Sequence, residues 1–201
     1  MAIQLTFSNI LQLTSTLSPV LITFFLVMLS LFNLNLKGIM YLSGVMLATF
    51  INYMLGFAWA GENKVAPPAM CNLLEGPWTQ HTDPSSSTLY LAFTLVYLVM
   101  PMYFNDQMNW VVTIFLLVLY FADSYSSVVK RCTPVAGPII GGIIGILMGG
   151  AWFTMFHATG HDDLLYFQEL LSNNVVCKRP EKQTFKCSVY RKGELISSSI
   201  I

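Results

Sequence analysis

Five apolar stretches, roughly 18–36, 38–60, 86–104, 109–125 and 134–157, fill most of the 201-residue chain and leave only short polar pieces between them. Each approaches the ~20 residues that a helix needs to cross a ~30 Å hydrocarbon core at ~1.5 Å per residue. No water reaches that core to satisfy backbone N–H and C=O groups, so such stretches must close their hydrogen bonds internally, as helices. The sequence therefore predicts an all-α membrane protein. Its parts are an N-terminal interfacial segment (1–17), a five-helix membrane domain (18–157) and an amphipathic helix with a polar tail (158–201).

Charge supports this reading. Asp, Glu, Lys and Arg make up 10% of the chain, against about 25% in soluble domains, and none precedes Lys37. The ten cations and ten anions cancel. No basic excess calls for nucleic acid, and the bilayer is the expected partner. Met1–Leu17 lacks a basic n-region and the apolar run after it has no small-residue cleavage site, so it reads as a signal-anchor.

Five spans put the termini on opposite sides. Seven cations (Lys37, Lys178, Arg179, Lys182, Lys186, Arg191 and Lys192) fall on the C-terminal side, and three (Lys64, Lys130 and Arg131) on the other. The bias predicts a cytoplasmic C-terminus and an N-terminus outside or in a lumen. Cys71 and Cys132 then share the outer side, where a disulfide between them can form, while Cys177 and Cys187 lie on the reducing side. No metal or cofactor is expected.

Within the spans, Asn52 needs a hydrogen-bond partner on another helix. Asp123, near a membrane edge, is expected to pair with Lys130 or Arg131. Gly137, Gly141, Gly145 and Gly149 recur every four residues and make one flat stripe, expected to pack inside the bundle. Gly160 is expected to end the last span. His157 and His161 beside Asp162 and Asp163 look metal-like, but Gly160 breaks the helix that would align them. Asp162 then opens an amphipathic helix carrying Leu164, Leu165, Phe167, Leu170 and Leu171 on the bilayer. The segment Thr184–Tyr190 alternates like a strand, Arg191-Lys192-Gly193 reads as a turn, and Glu194–Ile196 returns as a hairpin. The basic tail offers a surface for a protein partner or for anionic lipid.

The longest connection, Gly61–Ser85, ends in Pro84-Ser85-Ser86-Ser87-Thr88, a helix start whose hydroxyls can cap the first N–H groups. Lys64, Ser85, Ser86, Ser87, Lys130 and Arg131 fall together on the outer side and form a candidate phosphate or headgroup site, since helix N-termini attract anions.

Pro84-Ser85-Ser86-Ser87, followed by Thr133-Pro134-Val135-Ala136-Gly137 and the glycine stripe, resembles the type 2 phosphatidic acid phosphatase superfamily over about residues 20–157. The resemblance implies a five-helix core whose P-S-G-H and S-R-x5-H-x3-D motifs face one side. It also implies a histidine nucleophile, a histidine acid, an orienting aspartate, and Lys and Arg on the phosphoryl oxygens. On the matching positions this chain has Val129 for the nucleophile, Ser87 for the acid, Thr133 for the aspartate, Asp123 for the arginine and Gly56 for the first-motif lysine. Valine cannot form a phosphoenzyme.

The tail, with Asn173-Asn174-Val175-Val176-Cys177, resembles membrane proteins of large DNA viruses and implies a virion inner membrane as the setting. The expectation is therefore a non-catalytic, partner-binding membrane component. The alternatives are a headgroup-binding protein and a divergent phosphatase using His81 beside Asp83.

Overall fold

The computed structural model describes residues 7–59, 84–167, 186–191 and 194–200. Five α-helices follow in order: α1 (Phe7–Phe32), α2 (Lys37–Trp59), α3 (Ser86–Phe104), α4 (Trp110–Val129) and α5 (Ala136–Ala158). Four of them, α2 to α5, are long and apolar enough to cross a membrane, and α1 adds the shorter apolar stretch Leu17–Phe32. Two compact units result, divided between Gln168 and Glu169.

The helices differ from the expected spans mainly at their ends. The segment read as interfacial is continuous with α1 from Phe7 onward, and Pro19 is carried inside that helix. The fourth helix runs on to Val129 rather than stopping near 125. Its Ser124 hydroxyl donates to the Tyr120 carbonyl at 2.8 Å, inside a helix that continues through the serines at 124, 126 and 127.

The third helix is the centre of the bundle. Its apolar window is 61% buried, whereas that of α4 is 22% buried. The fully buried rings of Tyr41, Phe93, Tyr97 and Phe153 lie at the core, with Leu89, Leu91 and Met102. By contrast α4 turns Val111, Phe115, Val118, Phe121 and Tyr125 outward, a face suited to lipid.

The glycine stripe explains how α3 and α5, which run parallel, lie so close. A Cβ on Gly141 would stand 2.6 Å from the Ser85 carbonyl oxygen, one on Gly145 would meet the Leu89 carbonyl, and one on Gly149 would stand 2.8 Å from the Phe93 carbonyl. Backbones can approach this closely only where no side chain intervenes.

A hydroxyl network ties α1, α2 and α3 in the apolar interior. Tyr41 Oη lies 2.8 Å from Tyr90 Oη and 2.7 Å from Thr94 Oγ1, and the Thr23 hydroxyl pairs with Tyr90. In hydrocarbon such groups must satisfy one another, which favours one arrangement of the three helices.

After α5 the chain turns at Gly160 and forms a short 3-10 turn, Asp162–Leu164. The expected amphipathic helix does not form as far as Phe167. Instead Leu165 and Tyr166 are buried in the core, and the Tyr166 hydroxyl donates to the Leu26 carbonyl at 2.8 Å. An internal carbonyl and an aromatic cluster hold this segment better than a bilayer surface would.

In the second unit, β1 (Lys186–Arg191) and β2 (Glu194–Ile200) pair antiparallel, with a register irregularity between Val189 and Tyr190. Leu170, Leu171, Cys71, Cys177, Lys64 and His81 lie outside the described residues.

Candidate functional site

Pro84 and Ser85 lead into α3 and place four consecutive hydroxyl residues, Ser85 to Thr88, among α2, α4 and α5. The Ser85 backbone is extended at φ −64° and ψ 117°, as suits an N-cap, but its side chain makes no capping bond. Its N–H donates instead to the Gly137 carbonyl at 3.2 Å, tying the start of α3 to the start of α5. On the other flank Asn52 Nδ2 of α2 donates to the Pro84 carbonyl at 3.2 Å and to Ser86 Oγ at 3.1 Å. Asn52 thus finds the interhelical partners its position requires, while its Oδ1 is buried without a partner among the described residues.

Asp123 of α4 is the electrostatic centre of this end. It is 2% exposed, and its Oδ2 accepts from Ser87 Oγ and from Thr88 Oγ1, both at 2.9 Å. Ser85 Oγ lies 3.0 Å from Thr88 Oγ1. Thr88 has one hydroxyl proton; given to the carboxylate, it leaves the Thr88 oxygen to accept from Ser85. A buried carboxylate needs such donors. Its negative charge also lies at the end of α3 where the helix dipole favours it.

The expected pairing of Asp123 with Lys130 or Arg131 is not what the described residues form. Asp123 points into the bundle, where hydroxyls meet it, while Lys130 is half-buried and Arg131 exposed beyond the helix end. Of the six candidate anion-site residues, Ser85 and Ser87 gather around Asp123, and Ser86 turns to Asn52. Thr88, fully buried, belongs to the cluster although sequence reasoning saw it only as part of a capping run. The hydroxyl at every position of 85–88 was the available signal.

Two described hydroxyls face one carboxylate, but no imidazole among the described residues reaches them, since α5 carries His157 to the opposite end. Val129, at the nucleophile position implied by the resemblance, is 57% exposed. Cys132, in the connection from α4 to α5, is disulfide-bonded.

At the other end of the bundle His157 Nδ1 lies 2.8 Å from Asp162 Oδ1. Among the described residues no three His, Cys, Asp or Glu side chains come together as a metal site.

Fold and site together define a helical bundle with four helices long and apolar enough to cross a membrane, in which the described polar groups around Asp123 bond to one another. No family model, no curated protein and no solved structure matches this chain.

Proposed function

We propose that the chain is a non-catalytic, multi-pass integral membrane protein, a structural or partner-binding component built on a bundle that resembles the phosphatidic acid phosphatase core. The observation that carries this reading is the cluster around Asp123. At the end where the resembled enzymes hold and cleave phosphate, the hydroxyls of Ser87 and Thr88 are engaged by a buried carboxylate. A polar node of this kind fixes helix positions, and among the described residues it brings no histidine to the hydroxyls. The Cys132 disulfide supports an outward or lumenal placement of that end, as does the cation count. The basic tail is the proposed contact for a protein partner, and its resemblance to viral membrane proteins makes a virion or host-derived internal membrane the proposed setting.

The test is hydrolysis by the purified full chain in vesicles containing phosphatidic acid or a diphosphate lipid. Phosphate release should equal that of protein-free vesicles. Release above that background, abolished by Ser85→Ala or Lys130→Ala, would overturn the reading and restore a divergent phosphatase. The same vesicles decide the headgroup-binding alternative: Lys130→Ala with Arg131→Ala should leave anionic-lipid binding unchanged.

A further inference from the structure

At the end of the bundle away from Ser85, the last turns of α3 and α5 and the 161–167 segment enclose a cavity of about 40 Å³. Its walls include the rings of Phe104, Phe153 and Tyr166, the Asn105 side chain, and the His157–Asp162 pair. The His157 ring stacks on Phe153 with centroids 5.4 Å apart and 13° between planes, and lies 5.2 Å from Phe104. Packed in this way, the imidazole presents Nδ1 to Asp162 and fixes the carboxylate at the cavity wall.

We infer that this cavity seats a primary ammonium group, of the kind an aminophospholipid headgroup carries. Three observations converge on that chemistry. The first is charge: Asp162 brings a carboxylate to the wall, and Asp106 and Asp163 adjoin the wall residues Asn105 and Asp162 in sequence. An anionic headgroup is repelled.

The second is the lining. Aromatic faces attract cations within about 6 Å of the ring centroid. Asp162 and Asn105, both lining the cavity, carry oxygens able to accept from an ammonium. Third comes size and level. One water needs roughly 10–15 Å³ by this measure, so the cavity holds about three or four water-sized groups. That suits an ammonium and its first methylene, and is small for a trimethylammonium. The cavity also lies where α3 ends at Phe104 and α5 at Ala158, the depth at which apolar helices meet headgroups.

The test is native mass spectrometry of the full chain released from mixed vesicles of phosphatidylethanolamine, phosphatidylcholine and phosphatidylglycerol. Phosphatidylethanolamine should be retained preferentially. Asp162→Asn should weaken its retention by about tenfold, the loss expected for one charge-assisted hydrogen bond. Asn105→Ala, which leaves the His157–Asp162 pair intact, serves as the second variant should Asp162→Asn fail to fold. Adding ethanolamine or choline distinguishes the source. Displacement by ethanolamine alone assigns a soluble amine, whereas resistance to both assigns the lipid. Equal retention of the three lipids, or preference unchanged in a folded Asp162→Asn protein and in Asn105→Ala, would overturn the inference.

Discussion

A methyl group added to Gly145 would collide with the Leu89 carbonyl and stand 2.8 Å from the Ala92 Cβ, whereas one added to Gly150 would meet Met100 at an ordinary 3.7 Å. The first contact is with backbone, which cannot yield without moving α3 from α5. Gly145→Ala should therefore lower stability by about 1–3 kcal/mol, the usual cost of overpacking. Gly150→Ala should be neutral or stabilising, since alanine favours a helix over glycine by up to ~1 kcal/mol. Thermal unfolding of both variants in one detergent checks this, and equal melting temperatures would show that the stripe does not face α3. The stripe was legible because its repeat of four needs no tertiary knowledge. Asp123 was not. Its hydroxyl partners Ser87 and Thr88 lie 36 and 35 residues away, while two cations sit just past the same helix. Sequence proximity favoured the cations; burial favoured hydroxyls that the start of α3 brings in already oriented.

At the scale of elements, four helices end by one device. The N–H groups of Asn35, Gln107, Cys132 and His161 each return to the carbonyl five residues earlier, at 3.1, 2.9, 2.9 and 3.1 Å. This closure requires a left-handed residue just before, and those residues are Leu34 (φ 51°), Asp106 (φ 52°), Arg131 (φ 56°) and Gly160 (φ 72°). Glycine alone adopts that conformation without the roughly 1–2 kcal/mol that an L side chain costs. Opposite shifts are therefore expected. Leu34→Gly, at a side chain that is 95% exposed and packs on nothing, should raise the unfolding midpoint; Gly160→Ala should lower it, each by about 1 kcal/mol. A melting comparison of the two variants decides it, and shifts of the same sign would contradict the account. The same device explains which boundaries could be read. Gly160 marked its helix end in the sequence, and the third apolar stretch ends at 104, where α3 ends, whereas leucine and arginine at the ends of α1 and α4 gave no sign. Span positions followed from apolar length alone, which the bilayer imposes whatever the packing.

For the molecule as a whole, the orientation argued from charge makes each turn report on one side of the membrane. With five crossings, an epitope tag at the N-terminus and one inserted after Arg131 should bind antibody on intact cells or sealed compartments of outward orientation. Tags inserted after Asp106 and at the C-terminus should bind only after permeabilisation. The first helix is the informative case, because its apolar described part, Leu17–Phe32, is shorter than the other spans. If α1 lies in the interface instead of crossing, the N-terminal tag joins the Asp106 side while the Arg131 tag stays outside. The buried contacts argue for crossing. Thr23 pairs with Tyr90 in the hydroxyl network, and the Leu26 carbonyl accepts from Tyr166, so α1 is fastened to the core at bundle depth rather than along its rim. An α1 that lay flat would take the Thr23 hydroxyl from Tyr90, which keeps Tyr41. It would also remove the Leu26 carbonyl from the Tyr166 hydroxyl, a loss costing about 1–3 kcal/mol if that hydroxyl stayed unpaired in hydrocarbon.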